Sequence, residues 1–215
     1  MSTLRRTAVP VAAAVATAVV AAYPTARRRA LEWGATPDET TAVLPGDSLV
    51  PRADLVATRA TDVDVHPDHV WPWLAQIGQG KAGFYSYEAL ENLAGCDIHN
   101  ADRVVGSWQD VAVGDEVHLH PDVALRVALV EPPDALVLHG GAPTDDDGPA
   151  LFDFSWAFVV RPGRDEGHSR LVVRERYHYR APWAGSVVEP VAWVSALMTE
   201  KMLRGIRHRA EGVPV

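Results

Sequence analysis

From Gly114 to Arg180 the chain reads as one strand candidate after another, and this constrains the fold more than any other feature. EVHLH, ALRVALVEP, ALVLHG, LFDFSWAFVVRP and RLVVRERYHYR are rich in β-branched and aromatic residues. Pro-, Gly- and Asp-bearing turns separate them: PDV, PPD, TDDDGP and GRDEGHS. Nothing between them could form a crossover helix, so consecutive strands should pair antiparallel in a meander. Such a sheet has an apolar face to cover, and the chain supplies the cover last. VVEPVAWVSALMTEKMLRGIRHRAE carries Val191, Val194, Leu197, Met198, Met202 and Ile206 along one side of a long helix.

Upstream, DLVATRATDVDV alternates, with Leu55, Ala57, Arg59, Thr61, Val63 and Val65 on one side, as in a strand. HPDHVWPWLAQIG should form a short or bent helix, because Pro67 suits a first turn and Pro72 disturbs the interior. SYEALENLAG reads as a second short helix, with Ser86 as N-cap and Gly95 as its stop. The order is strand, two short helices, a run of strands, then one long helix. It predicts an α+β fold in which a curved antiparallel sheet wraps the terminal helix. The organisation expected is an apolar N-terminal helix over 1–26, a Pro- and Gly-punctuated connector over 27–53 and one domain over 54–211.

Composition removes some function classes. With 215 residues, 47% hydrophobic and 22% charged, the chain can bury a core. A formal net charge of -8 leaves no basic face for nucleic acid, and the Arg27–Arg28–Arg29 and Arg204, Arg207, Arg209 clusters read as solvated surface. Cys96 stands alone, so no intrachain disulfide can form, and it reads as buried filler. Thr7 to Tyr23 has no charge and is flanked by Arg5, Arg6 and the arginine triplet. It is read as a membrane anchor with the domain on the cytoplasmic side, attachment running through residues 8–23. A cleaved signal peptide and a soluble alanine-rich helix are the alternatives.

WGATPDE, PGDSLV, VWPWLAQIGQGKAGFYSYEALENLAG, IHNADR, WQDVAVGDEV, FDFSWAF and VRERYHYR, with the element order, resemble the START-like or SRPBCC superfamily. That superfamily has the helix-grip fold and includes polyketide cyclase/dehydrase-type members; the local resemblance is to uncharacterised actinobacterial SRPBCC proteins. The resemblance covers about Asp54 to Glu211. It implies a cavity between sheet and C-terminal helix that holds an apolar or amphipathic small molecule. It does not imply a reaction.

Strand alternation turns this into a map. Phe152, Phe154, Trp156, Phe158 and Val160 share one face, and Leu171, Val173, Glu175, Tyr177 and Tyr179 share another. Phe154, Trp156, Phe158 and Tyr177 are therefore candidate ligand contacts, although aromatic stripes also serve as plain core. Glu175 is then an inward carboxylate, costly unless paired or protonated. It could act as general acid or base, or it could be the structural partner of Arg59, Arg126 or a tyrosine hydroxyl. Tyr85, Tyr87, His99 and Trp108 combine apolar bodies with polar tips and are expected to gate the cavity mouth, with Asn100 and Asp102 bracing the loop. Glu116, His118, His120 and Asp122 alternate toward solvent and are not expected to hold a metal. GQGKAG lacks the glycine and hydroxyl residue of a phosphate loop, so no cofactor is expected. Three functions follow: binding of a hydrophobic or aromatic small molecule, with a lipid-like guest included; a cyclase- or dehydratase-type enzyme using Glu175; or a non-catalytic structural or interaction protein whose cavity is filled by its own side chains.

Overall fold

The computed structural model describes residues 20–93, 95–141 and 150–212. Six strands form one antiparallel sheet: β1 (Leu55–Val63), β2 (Glu116–His120), β3 (Val123–Glu131), β4 (Ala135–Gly141), β5 (Phe152–Pro162) and β6 (Ser169–Tyr179). The helices are α1, described over residues 20–31, α2 (Pro37–Thr41), α3 (Pro67–Ala75), α4 (Glu88–Leu93) and α5 (Ala184–Ala210). The strand order is β1-β6-β5-β4-β3-β2, so β2 to β6 run as a meander and β1 closes the edge beside β6. Register shifts between His118 and His120 and between Val127 and Leu129 mark bulges that bend the sheet. The bent sheet and the long α5 make the helix-grip arrangement.

The concave face is built by the period of two. Leu55, Ala57 and Val63 of β1, Phe158 and Val160 of β5, and Leu171 and Val173 of β6 point inward to one core with Leu74 of α3. From α5, Met202, Leu203 and Ile206 complete that core. Of the apolar stripe expected on α5, Met202 and Ile206 are buried in the core, Val191, Val194 and Met198 face the open space beside the sheet, and Leu197 is exposed. Ser195 and Thr199 share this face and meet Glu175. Pro72 lies inside α3, which stays at nine residues, with the His66 imidazole accepting from the Asp68 N–H at its start. Ser86 does not cap α4; its hydroxyl donates to the Met198 carbonyl at 3.1 Å.

The convex face is covered by residues 35–50, the stretch that reads as a connector. Leu44 is buried against Ala60, Val137, Ala157, Val159 and Val172. A capping box between Thr36 and Glu39 starts α2. The Arg174 guanidinium, on the outer side of β6, donates to Thr58 Oγ1, Asp47 Oδ2 and the carbonyls of Glu39 and Ala42. Arg170 forms a two-pronged pair with Glu39 at 2.8 Å on each prong. The strap enters through Gly34, at φ +70°, where a Cβ would meet the Ala60 carbonyl oxygen at 2.1 Å.

α1 lies along the start of α5. Arg27 pairs with Glu189 at 2.6 Å, and the Tyr23 and Trp193 rings are 6.2 Å apart. No helix among the described residues is long and apolar enough to cross a membrane. Residues 7–19, most of the run read as an anchor, lie outside the described residues.

Candidate ligand-binding cavity

The two layers meet closely at one end and part at the other. Where α5 presents Met202, Leu203 and Ile206, large side chains fill the space. Around Val191, Val194 and Met198 the side chains stop short of the aromatic wall, and only Ser195 and Thr199 reach across to β6. A cavity of about 550 Å3 remains there, within the size range of small-molecule sites. Phe152, Phe154 and Trp156 of β5 form one wall, with Leu125 of β3. Val191, Val194 and Met198 of α5, with Phe84 before α4 and Ile98 after it, complete the lining. The aromatic rings touch in series. Phe154 and Tyr177 are 4.6 Å apart between centroids, Phe152 and Tyr177 5.4 Å, and Trp156 and Phe158 4.8 Å.

One polar cluster sits in this apolar wall. The Glu175 side chain is 3% exposed and its Oε1 is 2.8 Å from Arg59 Nη1, itself on a side chain 1% exposed. The Ser195 hydroxyl donates to the carboxylate at 2.7 and 2.8 Å from its two oxygens, and the Thr199 hydroxyl at 3.1 Å. The Tyr177 hydroxyl donates to Oε2 at 3.3 Å. Burial, and then the Glu175 charge, hold the Tyr177 phenol well above its ordinary pKa, so it remains a donor. Arg59 is anchored in turn by its Nε–H on the Ala30 carbonyl at 2.8 Å. Both Glu175 oxygens are thus taken up by protein donors, which satisfies the buried charge and leaves little acceptor capacity for a substrate proton. Arg126, the other candidate partner, pairs with Glu116 at the surface.

Of the residues singled out in the sequence, Phe154, Trp156, Glu175 and Tyr177 come together in the cavity wall. Phe158 packs in the core against Trp156 and is not in the wall. The expected gate is not assembled. Tyr85 is 1% exposed, with its hydroxyl donating to the Trp73 carbonyl at 2.9 Å and accepting from Gln76 at 3.1 Å. It turns away from the cavity because its backbone is left-handed, at φ 57°, a conformation held by the Tyr85 N–H on Asn100 Oδ1. Close packing on α5 reinforces this, since a Cβ on Gly205 would lie 2.3 Å from the Tyr85 carbonyl oxygen. Tyr87 is exposed under the Lys201 ammonium, and His99 projects outward near Asp97. Trp108 is half-buried at the end of a single 3-10 turn and does not line the cavity. Asn100 staples the loop through Tyr85 N–H, the Ser86 carbonyl and Glu88 Oε1.

Several wall residues escaped sequence reasoning. Phe84 and Ser86 flank Tyr85 and reach the cavity because the left-handed turn at Tyr85 sends its neighbours the other way. Ser195 and Thr199 carried a usable signal, since two hydroxyls four apart share a helix face with nothing polar nearby in sequence to meet them. Glu91, on α4, lines the cavity and gave no signal. Burial and the neighbouring Glu88 charge push its carboxyl up to about 7. Burial and Glu91 also raise the Cys96 thiol, which lines the same space. Among the described residues no group of three or more His, Cys, Asp or Glu is placed to hold a metal ion. His118 and His120 sit at the surface beside Glu116 and Asp122.

Among solved structures the chain is similar to norcoclaurine synthase from Thalictrum flavum, at 16% identity over 72% of this chain and 91% of that one, with a TM-score of 0.45. It is also similar to a protein from Mesorhizobium loti, at 14% identity over 75% and 100% of the two chains, with a TM-score of 0.44. DynU16, a protein of the dynemicin biosynthetic locus, shares 17% identity over 75% of this chain and 49% of its own, with a TM-score of 0.41. Likeness of this degree carries nothing over about ligand or reaction. No family model matches the sequence, and no curated protein matches it.

Proposed function

We propose that the protein binds a hydrophobic or aromatic small molecule in the cavity between the sheet and the first half of α5. The supporting observation is the cavity itself: about 550 Å3 walled by Phe, Trp, Tyr, Leu, Val and Met side chains, beside a Glu175 cluster satisfied from within. An interior filled by its own side chains would leave no such space among the described residues. An acid–base role for Glu175 would need a free oxygen facing the guest, and Arg59, Ser195, Thr199 and Tyr177 occupy both. The cluster acts as a rigid polar floor, and the aromatic wall supplies the affinity.

The test is titration with Nile red, a neutral apolar dye. The wild-type chain should give saturable, blue-shifted emission at one dye per chain. Met198→Trp, which places an indole in the cavity, should weaken binding at least tenfold with an unchanged far-UV spectrum. Undiminished binding by that variant would place the dye elsewhere and refute the assignment.

A further inference from the structure

Glu91 is the one cavity-wall carboxylate that the Glu175 cluster does not absorb. It is 8% exposed, and its Oε2 is buried with no hydrogen-bond partner among the described residues. A buried carboxyl left in this way costs free energy, so the site is incomplete as it stands. None of the described residues lining the cavity is basic. Arg59 does not line the cavity; its Nη1 pairs with Glu175, its Nε with the Ala30 carbonyl, and its Nη2 is buried without a partner among the described residues. The neighbouring Glu88, on the same helix, adds further negative potential at Glu91. A second polar atom of the wall, the Trp156 indole Nε1, is also buried and unpartnered among the described residues. The wall thus combines aromatic faces, which favour a cation, with an uncompensated acidic group.

Resting on the cavity reading above, we infer that the guest is an apolar, aromatic-compatible molecule carrying a protonated amine, whose N–H donates to Glu91 Oε2. An alcohol would fill the same hydrogen bond without offsetting the charge. A carboxylate would meet Glu88 and Glu91 with like charge. The ammonium offsets the local potential, satisfies the orphaned oxygen and leaves the hydrocarbon body to the β5 aromatics. The other ionisable groups facing this space are Cys96 after α4 and Glu175 and Tyr177 on β6. His120 at the end of β2 lies beside Gly95, and Lys201 of α5 lies over Tyr87.

The experiment compares three fluorescent probes with one ring system, naphthylethylamine, naphthylethanol and naphthylacetate, on the full chain and on Glu91→Gln. Nile red runs beside them as a check on the cavity. The amine should bind about tenfold or more tightly than the alcohol, the scale of one charge-assisted bond, and the acetate most weakly. Its affinity should rise with pH through about 7 as Glu91 ionises. Glu91→Gln should flatten that profile and reduce the amine to the level of the alcohol, whose own affinity on the same variant is the reference. Equal binding of amine and alcohol, or an amine preference that survives Glu91→Gln, overturns the inference and leaves the cavity reading in place. Failure of every probe, Nile red included, overturns both.

Discussion

Replacing Arg59 by leucine would strand the Glu175 carboxylate in a site where its side chain is 3% exposed and no other cation among the described residues is paired with it. Stripping one partner from a buried pair costs roughly 3–5 kcal/mol. Here the hydroxyls of Ser195, Thr199 and Tyr177 remain as donors, which favours the lower end of that range. Against a total stability of about 5–15 kcal/mol the variant should still fold. The experiment is urea unfolding followed by tryptophan emission. With a slope of about 2–3 kcal/mol per molar, the midpoint should fall by roughly 1–2 M. The double variant Arg59→Leu/Glu175→Leu should recover part of the stability, since the stranded charge is gone while the Ser195, Thr199 and Tyr177 hydroxyls lose their acceptor. A midpoint shift under about 0.3 M in the single variant, or a double variant as unstable as the sum of the singles, would refute the account of the cavity floor.

Glu91 makes a separate statement about pH. Its folded pKa of about 7 lies above the ordinary 4.5, so the unfolded chain binds fewer protons between those values and stability falls as pH rises through that window. The full effect is at most about 3 kcal/mol, and Glu91→Gln should remove it; thermal unfolding of both proteins across the window checks this, and parallel curves would contradict it. Arg174→Met should free the strap over residues 35–50 by removing its bonds to Asp47, Ala42 and Glu39. Hydrogen exchange should accelerate there, while Nile red affinity stays within about twofold because the cavity lies on the opposite face. Altered dye binding would mean that the two faces are coupled.

The strands were legible because alternation and turn residues are local: Phe154, Trp156, Glu175 and Tyr177 follow from counting by two along β5 and β6. The paired role of Glu175 was legible for the same reason, since Arg59 falls on the inward side of β1 by the same count. What failed was loop geometry and the polar residues of the long helix. Tyr85 reads as a gate by composition, but a left-handed backbone and the tight contact with Gly205 turn it inward, and neither leaves a sequence pattern. On α5 the hydrophobic count found the face of Val191, Val194, Met198, Met202 and Ile206 and erred only at Leu197, but it passed over Ser195 and Thr199, which share that face to meet a buried carboxylate. The strap was invisible because its anchor, Arg174, lies far away in the chain.

Arg174 and Glu175 are adjacent in β6, have opposite charges and face opposite sides of the sheet. Slide that strand by a single position and the guanidinium would enter the oily chamber, while the carboxylate would be pressed toward the strap's own Asp47. Neither ion could find its counter-charge, so the misaligned sheet would carry two unmatched buried charges at once. The pair therefore works as a two-sided key that admits only one alignment of the strand.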